Sequence, residues 1–372
     1  MQQNELVVLS HLRWDFVWQR PQQLISRLAK RTTRTFFVEE PFIAETVSEP
    51  ALAERDFESI TRLRLELPGV ARHCDFGDPA AASDADLLVQ RLGWSADRLV
   101  GLYTPMALPL ADLLEPTLVA YDVMDDLASF SGASPELRAR QRELLARADV
   151  VFAGGRSLLR SVRDARPDAH LFASGVDPAH FEAARQRRRQ RRTPVAGYVG
   201  VIDERLDLEL VAGLATALPD WEIQLVGPVA KIDPASLPQA PNVVYSGSKP
   251  YARLPEVMSG FDVALMPFAI NEATRSISPT KTLEYIAAGL PVVSTPVPDV
   301  VTDFSELVDL QDDGAGFAAA CRGVLDHDLH DRDRLAKPML HWNHWDAIAS
   351  RMGELLDAAA EDAIGLRREE PA

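Results

Sequence analysis

Short apolar runs alternate with stretches of helical period along most of the chain, a pattern that predicts parallel strands covered by helices. In the first half the predicted strands are Glu5–Ser10, Thr35–Glu39, Ile60–Leu67, Leu99–Tyr103, Leu118–Asp122, Val150–Ala153 and His170–Ala173. Helical spacing covers Pro21–Lys30, Pro135–Ala148 and Arg156–Arg166. Thr193-Pro194 opens a second series, with strands Val195–Val199, Glu222–Val226, Val243–Tyr245, Asp262–Met266 and Val292–Ser294. Its helices are predicted at Leu206–Leu218, Tyr251–Gly260 and Pro279–Ala288. Near the end, Trp345, Ile348, Met352 and Leu355 recur at helical spacing, predicting an amphipathic helix that starts at Trp342.

These runs predict an α/β chain of two Rossmann-like, doubly wound domains. The length of 372 residues also exceeds what one core usually serves. Hydrophobic period fails over Glu182–Thr193, so the expected division is 1–181, a linker 182–193, and 194–341, followed by a closing helix at 342–366. Open α/β sheets bind ligands beyond the C-terminal ends of their strands, so function is expected where two such edges face one cleft.

A net charge of −16 argues against broad nucleic-acid binding, which needs a large basic surface. The local exception is Arg185, Arg187, Arg188, Arg189, Arg191 and Arg192, read either as a solvated linker or as a contact with anionic lipid headgroups. No apolar run approaches the roughly 20 residues needed to span a bilayer, and the first residues lack the order of a signal peptide. Cys74 and Cys321 lie in different halves, so neither a disulfide framework nor a cysteine metal cluster is expected, and a reducing cytoplasm fits best.

The most informative segment is Ser276-Ile-Ser-Pro-Thr-Lys-Thr-Leu-Glu-Tyr-Ile-Ala-Ala-Gly-Leu-Pro-Val-Val-Ser294. Ser278 suits the N-cap, Pro279 the first helical position, and Gly289 a left-handed stop. Free amides and the positive dipole end favour an anion at such a terminus. Thr280 and Lys281 add a hydroxyl and an ammonium in the first turn, where the dipole disfavours a cation, and that placement points to an anionic ligand. Lys281 and Glu284 share one helix face, which suits a pyrophosphate beside ribose hydroxyls and equally suits a plain surface ion pair.

The run Lys281-x-x-Glu284-Tyr285-x-Ala287-x-Gly289-x-Pro291-Val292-Val293 resembles the donor-site motif of GT-B glycosyltransferases of group 1, the family 4-like type. Gly175-Val176-Asp177-x-x-x-Phe181, Leu225-Val226-Gly227-Pro228 and Phe261-Asp262-Val263-Ala264-Leu265-Met266-Pro267-Phe268 follow that family's order, as does the Trp345-Asp346 helix, and the resemblance implies that the closing helix 342–366 packs back on the first domain. The resemblance implies a nucleoside-diphosphate sugar as donor, a glycan or lipid-linked glycan as acceptor, and no cofactor or metal. It implies that Glu284 binds the donor ribose and Lys281, with the amides near Thr280, the diphosphate. Tyr251, in Ser246-Gly-Ser-Lys-Pro-Tyr251, borders the nucleobase or packs in the core, and Gly200 admits the phosphates. Pro-x-Lys-x-x-Glu-Tyr, with Trp14-Asp-x-x-Trp18-Gln-Arg-Pro21-Gln, is similar to a bacterial subgroup acting in teichuronic-acid and exopolysaccharide assembly.

The chain departs from that pattern in two places. Ser276 stands where many retaining members carry a glutamate, and Arg205 alone follows Gly200 where many have a basic pair. Phosphate neutralisation then falls to Lys281, helped by Arg205 or Arg275. For the chemistry, Asp122, Asp125 and Asp126 end an apolar strand and are candidates for the base that deprotonates the acceptor, with helix capping or a metal site as the alternatives. His11, Trp18, Gln19 and Arg20, with Trp14 and Gln22, follow the first strand and suit carbohydrate, although Trp14 and Trp18 also suit packing on each other. The rival functions are a nucleotide-sugar epimerase and a catalytically degenerate nucleotide-sugar-binding subunit. A dinucleotide oxidoreductase fits poorly, because neither domain has Gly-x-Gly-x-x-Gly after its first strand.

Overall fold

The computed structural model describes residues 5–129, 134–187, 192–277, 280–324 and 330–369. They form two units, the first gathering Met1–Gly154, Leu158–Phe172 and Asp346–Ala372, the second Gly155–Ser157 and Ala173–Trp345.

The first unit's strands are β1 (Glu5–Ser10), β2 (Arg34–Ala44), β3 (Ala51–Phe57), β4 (Ile60–Pro68), β5 (Arg72–His73), β6 (Arg98–Leu102), β7 (Leu118–Val123), β8 (Val150–Ala153) and β9 (His170–Leu171). They run in the order β3-β4-β2-β1-β6-β7-β8-β9, with β5 on the outer part of β2. The pairings are parallel except β3 on β4 and β5 on β2. All six residues of β1 are buried, as a central parallel strand with both faces covered requires. The exception in reading is β3, whose Ala-Leu-Ala-Glu-Arg-Asp-Phe has no apolar alternation because it lies at the sheet edge, mostly exposed. It reaches β4 through the two-residue turn Glu58-Ser59, with Phe57 opposite Ile60 and Glu58 at φ 44°.

The second unit holds β10 (Val195–Val199), β11 (Glu222–Val226), β12 (Val243–Tyr245), β13 (Val263–Met266), β14 (Val292–Ser294) and β15 (Val308–Leu310), in the order β12-β11-β10-β13-β14-β15. All neighbours are parallel. The chain winds outward from β10 through β12, then crosses to start again at β13 on the other side of β10. The switch point therefore lies between β10 and β13, the place where such sheets open a crevice.

Three expected boundaries move. The second unit begins at Ala173, not after the linker, because the helix Pro178–Gln186 buries Phe181 and Ala184 in the second core. That helix also takes up the start of the expected 182–193 linker, and Arg188–Arg191 lie outside the described residues. The closing helix starts at Trp345 rather than Trp342. Trp342 ends a separate helix, His330–Trp342, with 68% of its surface exposed, and His344 bridges to Val176 between them. From Asp346 onward the closing helix belongs to the first unit, burying Ile348, Ala349, Met352 and Leu356 and pairing Asp346 with Arg27 and Asp357 with Arg31. Among the described residues no helix is long and apolar enough to cross a membrane.

Candidate functional site

The helix Thr280–Ala287 buries Thr282, Leu283, Tyr285, Ile286 and Ala287. Thr280, Lys281 and Glu284 are the side chains it leaves outside the core, so the expected ligand face is the face the fold turns away from packing. Ser278 and Pro279 lie outside the described residues. The helix stops as its sequence predicts: Gly289 takes φ 69°, and Leu290 N–H donates to the Tyr285 carbonyl at 3.0 Å, the six-to-one bond of a Schellman end.

Tyr285 fixes this helix against the sheet. Its buried hydroxyl accepts from Val199 N–H at 2.7 Å, at the last residue of β10. The next residue is Gly200, and a Cβ built there would stand 2.0 Å from Lys281 Cε and 2.9 Å from its Nζ. Glycine at 200 thus lets Lys281 lie across the loop. On the other side Gly200 N–H donates to Val226 O at 2.9 Å, and a Cβ at Gly227 would sit 1.8 Å from the Gly200 carbonyl oxygen. Two glycines at two strand ends let the loops touch backbone to backbone beside the lysine.

The loop after Gly200 is tied at both flanks. Ile202 N–H donates to Pro228 O at 2.9 Å, Asp207 N–H to Pro267 O at 2.9 Å and Ala269 N–H to Arg205 O at 2.9 Å. Arg205 is held by Asp203, its Nε 2.9 Å and its Nη2 2.7 Å from that buried carboxylate. Two of its guanidinium nitrogens are thus engaged within the loop, by a carboxylate two residues away. Asp203 was not singled out in the sequence, because an acid two residues before an arginine gives no sign of the loop that folds them together.

Burial pushes the Glu284 carboxyl up to about 7, against the downward pull of Lys281. A carboxyl poised there accepts hydrogen bonds when ionised and donates one when protonated. Tyr251, expected near a nucleobase, has one ring face covered by His180, with centroids 4.4 Å apart and planes 7° from parallel. Phe181 meets it edge-on at 5.7 Å, so Tyr251 is a packing residue on that side.

At the ends of the first unit's strands, Arg20 and Asp122 come together as a buried ion pair. Arg20 Nε lies 2.9 Å from Asp122 Oδ2 and Nη2 3.0 Å from Oδ1, while Nη1 donates to Phe172 O at 2.7 Å. Burial works against the Arg20 charge, yet Asp122 outweighs it and holds the guanidinium above its usual value. Arg20, expected as a carbohydrate contact, is a buried strut, and Asp122, expected as a candidate base, accepts from it through both carboxylate oxygens. Asp125 and Asp126 lie half-buried just beyond β7. Gln19 precedes the helix Arg20–Leu28, and its N–H donates to Gln22 Oε1 at 3.0 Å. Buried Gln22 in turn donates to Arg13 O at 3.2 Å and Trp14 O at 3.3 Å, which makes it a loop staple. Trp14 is buried edge-on against Trp18 at 5.7 Å, whereas Trp18 and His11 remain half-buried.

The first arginine of the basic run also has a structural place. Arg185 pairs with Asp333 through two contacts of 2.8 Å and donates to Ile286 O and Ala287 O at 3.3 Å each. A cation at the C-terminal carbonyls of the Lys281 helix suits the dipole and removes Arg185 from any solvated linker. Among the described residues no three His, Cys, Asp or Glu side chains gather to hold a metal ion.

Residues 193–327 match the family model described as glycosyl transferases group 1. A curated relative is TuaH of Bacillus subtilis (strain 168), assigned as a teichuronic acid biosynthesis glycosyltransferase. It is 29% identical over 208 residues, which cover 51% of this chain and 51% of TuaH. The chain thus spans about half the length of the curated relative it matches. Among solved structures, an alpha,alpha-trehalose 6-phosphate synthase from Burkholderia multivorans superposes with a TM-score of 0.68 at 14% identity over 100% of both chains. Anabaena Alr3699/HepE, in complex with UDP and glucose, gives 0.66 at 15% identity over 95% of this chain and 99% of its own. At such identities these two likenesses carry the fold alone. The family match thus lies on the part of the chain that holds Lys281 and Glu284, and the fold is that of the GT-B glycosyltransferases.

Proposed function

We propose that this chain transfers a sugar from a nucleoside-diphosphate sugar to a hydroxyl of a glycan or lipid-linked glycan, in the assembly of a cell-surface polysaccharide. The observation that carries the reading is Lys281, laid over Gly200 in the first turn of a helix whose other outward carboxyl, Glu284, is pushed up to about 7. The ammonium and the first-turn amides meet the diphosphate, and Glu284 accepts from the ribose hydroxyls. The Anabaena protein crystallised with UDP-glucose supports uridine as the base, and the teichuronic-acid relative supports a surface polysaccharide as the product.

In the step proposed, the acceptor oxygen attacks the anomeric carbon as the bond from that carbon to the β-phosphate oxygen breaks. The electron pair leaves on the diphosphate, where Lys281 meets the added charge. The acceptor proton passes to Asp125 or Asp126, since Asp122 is held by Arg20. No metal ion is needed in this scheme, so EDTA should leave the rate unchanged.

The test measures UDP release from UDP-glucose with and without oligosaccharide acceptors, for the wild type and Lys281→Ala. Acceptor-dependent release that falls at least tenfold in the variant is the expected result. Equal kcat/KM in both proteins would overturn the phosphate role. The Arg20–Asp122 and Arg205–Asp203 pairs, which engage three expected site residues, favour a non-catalytic donor-binding subunit as the second reading. UDP binding without release across the acceptor panel would decide for it.

A further inference from the structure

We propose that the first unit carries a docking pocket for a neutral oligosaccharide along the flank of the helix Arg20–Leu28, distinct from the strand ends used in the proposed transfer. The cavity measures about 680 Å³, within the range of small-molecule sites. Its position follows from the register. Ile60 opens β4, and Thr61 pairs with Phe36 near the start of β2, so the Glu58-Ser59 turn lies at the N-terminal edge of the parallel strands. His11, Asp125 and Asp126 follow the opposite, C-terminal edge.

One wall of the pocket is aromatic. Buried Trp14 stands 4.9 Å from Phe37, and holds the half-buried rings of Trp18 at 5.7 Å and Phe57 at 6.0 Å. The rest of the lining includes charged side chains, Arg27 and Lys30 from the end of the helix region, Glu58 from the turn, and Asp346 from the closing helix. Arg27 and Asp346 are paired with each other. Two cations and two anions cancel, so no net field draws in a polyanion. A pyranose ring has an apolar face that lies on aromatic rings and a rim of hydroxyls that both donate and accept, which matches this mixed lining. A purely apolar ligand would strand these charged groups, and a uronate chain would gain no net attraction from them.

The site needs no nucleotide sugar, so its failure and that of the transfer reading are separable. The experiment titrates the full chain, without donor, with cellotetraose, maltotetraose, tetra-N-acetylchitotetraose and, as the anionic comparison, tetragalacturonate, following tryptophan fluorescence and calorimetry. Saturable binding of a neutral tetrasaccharide is expected, weakened at least tenfold by Trp18→Ala and by the cavity-filling Ser26→Phe, and unchanged in Lys281→Ala. Circular dichroism checks the fold of each variant. No saturable binding of any neutral probe, tighter binding of tetragalacturonate, or neutral binding unaffected by both pocket variants would each overturn the proposal.

Discussion

Glu284→Gln should stabilise the protein in a pH-dependent way. The folded chain holds this carboxyl at about 7, against an ordinary value of 4.5, because burial disfavours its charge more than Lys281 favours it. Below pH 4.5 the folded and unfolded chains both carry the proton, and the group costs nothing. As pH rises from 4.5 to 7 the unfolded chain releases its proton while the folded chain keeps it, so stability is lost across that window. Above 7 the loss is complete. At about 1.4 kcal/mol for each tenfold change in proton affinity, the full cost is about 3 kcal/mol, an upper bound for a half-buried group. Glutamine has no proton to lose. In urea unfolding at pH 4.5, 6 and 8, the variant's advantage over the wild type should grow by about 2–3 kcal/mol from the lowest to the highest pH. A constant difference across the series would refute the reasoning, whatever its sign, because a fixed offset reports only the fit of the amide. The same carboxylate, when ionised, is the proposed acceptor for ribose hydroxyls, so donor affinity should fall below pH 7 in the wild type and stay flat in the variant.

Gly200→Ala puts a side chain at φ 156° and a methyl group 2.0 Å from Lys281 Cε and 2.6 Å from the Tyr198 hydroxyl, so the backbone is strained and the lysine is displaced. Donor affinity is expected to fall about tenfold or more by calorimetry, roughly the worth of one charge-assisted hydrogen bond, with a smaller effect on melting. Arg20→Ala leaves Asp122 buried without its partner, and urea unfolding should show a loss of about 3–5 kcal/mol; a loss under about 1 kcal/mol would remove the strut role. Glu58→Gly removes the side chain that sits at φ 44° in the first position of the two-residue hairpin turn, where glycine is preferred, and should gain about 0.5–1 kcal/mol in the same assay.

Parallel strands with apolar runs were the legible part of this fold. Glu5–Ser10, Val150–Ala153, Val195–Val199, Glu222–Val226, Val243–Tyr245 and Val292–Ser294 begin and end where the apolar runs do. The edge strand Ala51–Phe57 was not legible, because one exposed side and an antiparallel partner leave no apolar run. The face of the helix Thr280–Ala287 left outside the core could be read from spacing, since the core-facing residues of one helix are local information. What surrounds that face could not. Tyr285 meets Val199, Arg20 meets Asp122 and Arg185 meets Asp333 across 86, 102 and 148 residues of chain, and each pairing exists only after the sheets form. The basic run was misread at Arg185 for the same reason: composition marks a charge run as solvated, while a single arginine in it reaches two helix-end carbonyls. Asp122 was likewise readable as a carboxylate at a strand end, but not as one already bound.

The central claim is that the Lys281 helix holds a nucleoside diphosphate, and calorimetric titration of UDP into the wild type and Lys281→Ala tests it most directly. The account predicts saturable binding to the wild type and a loss of about 10- to 100-fold in the variant, the range for removing a charged donor from a phosphate, with melting unchanged. Affinities within twofold of each other, or no UDP binding by the folded wild type, would contradict it.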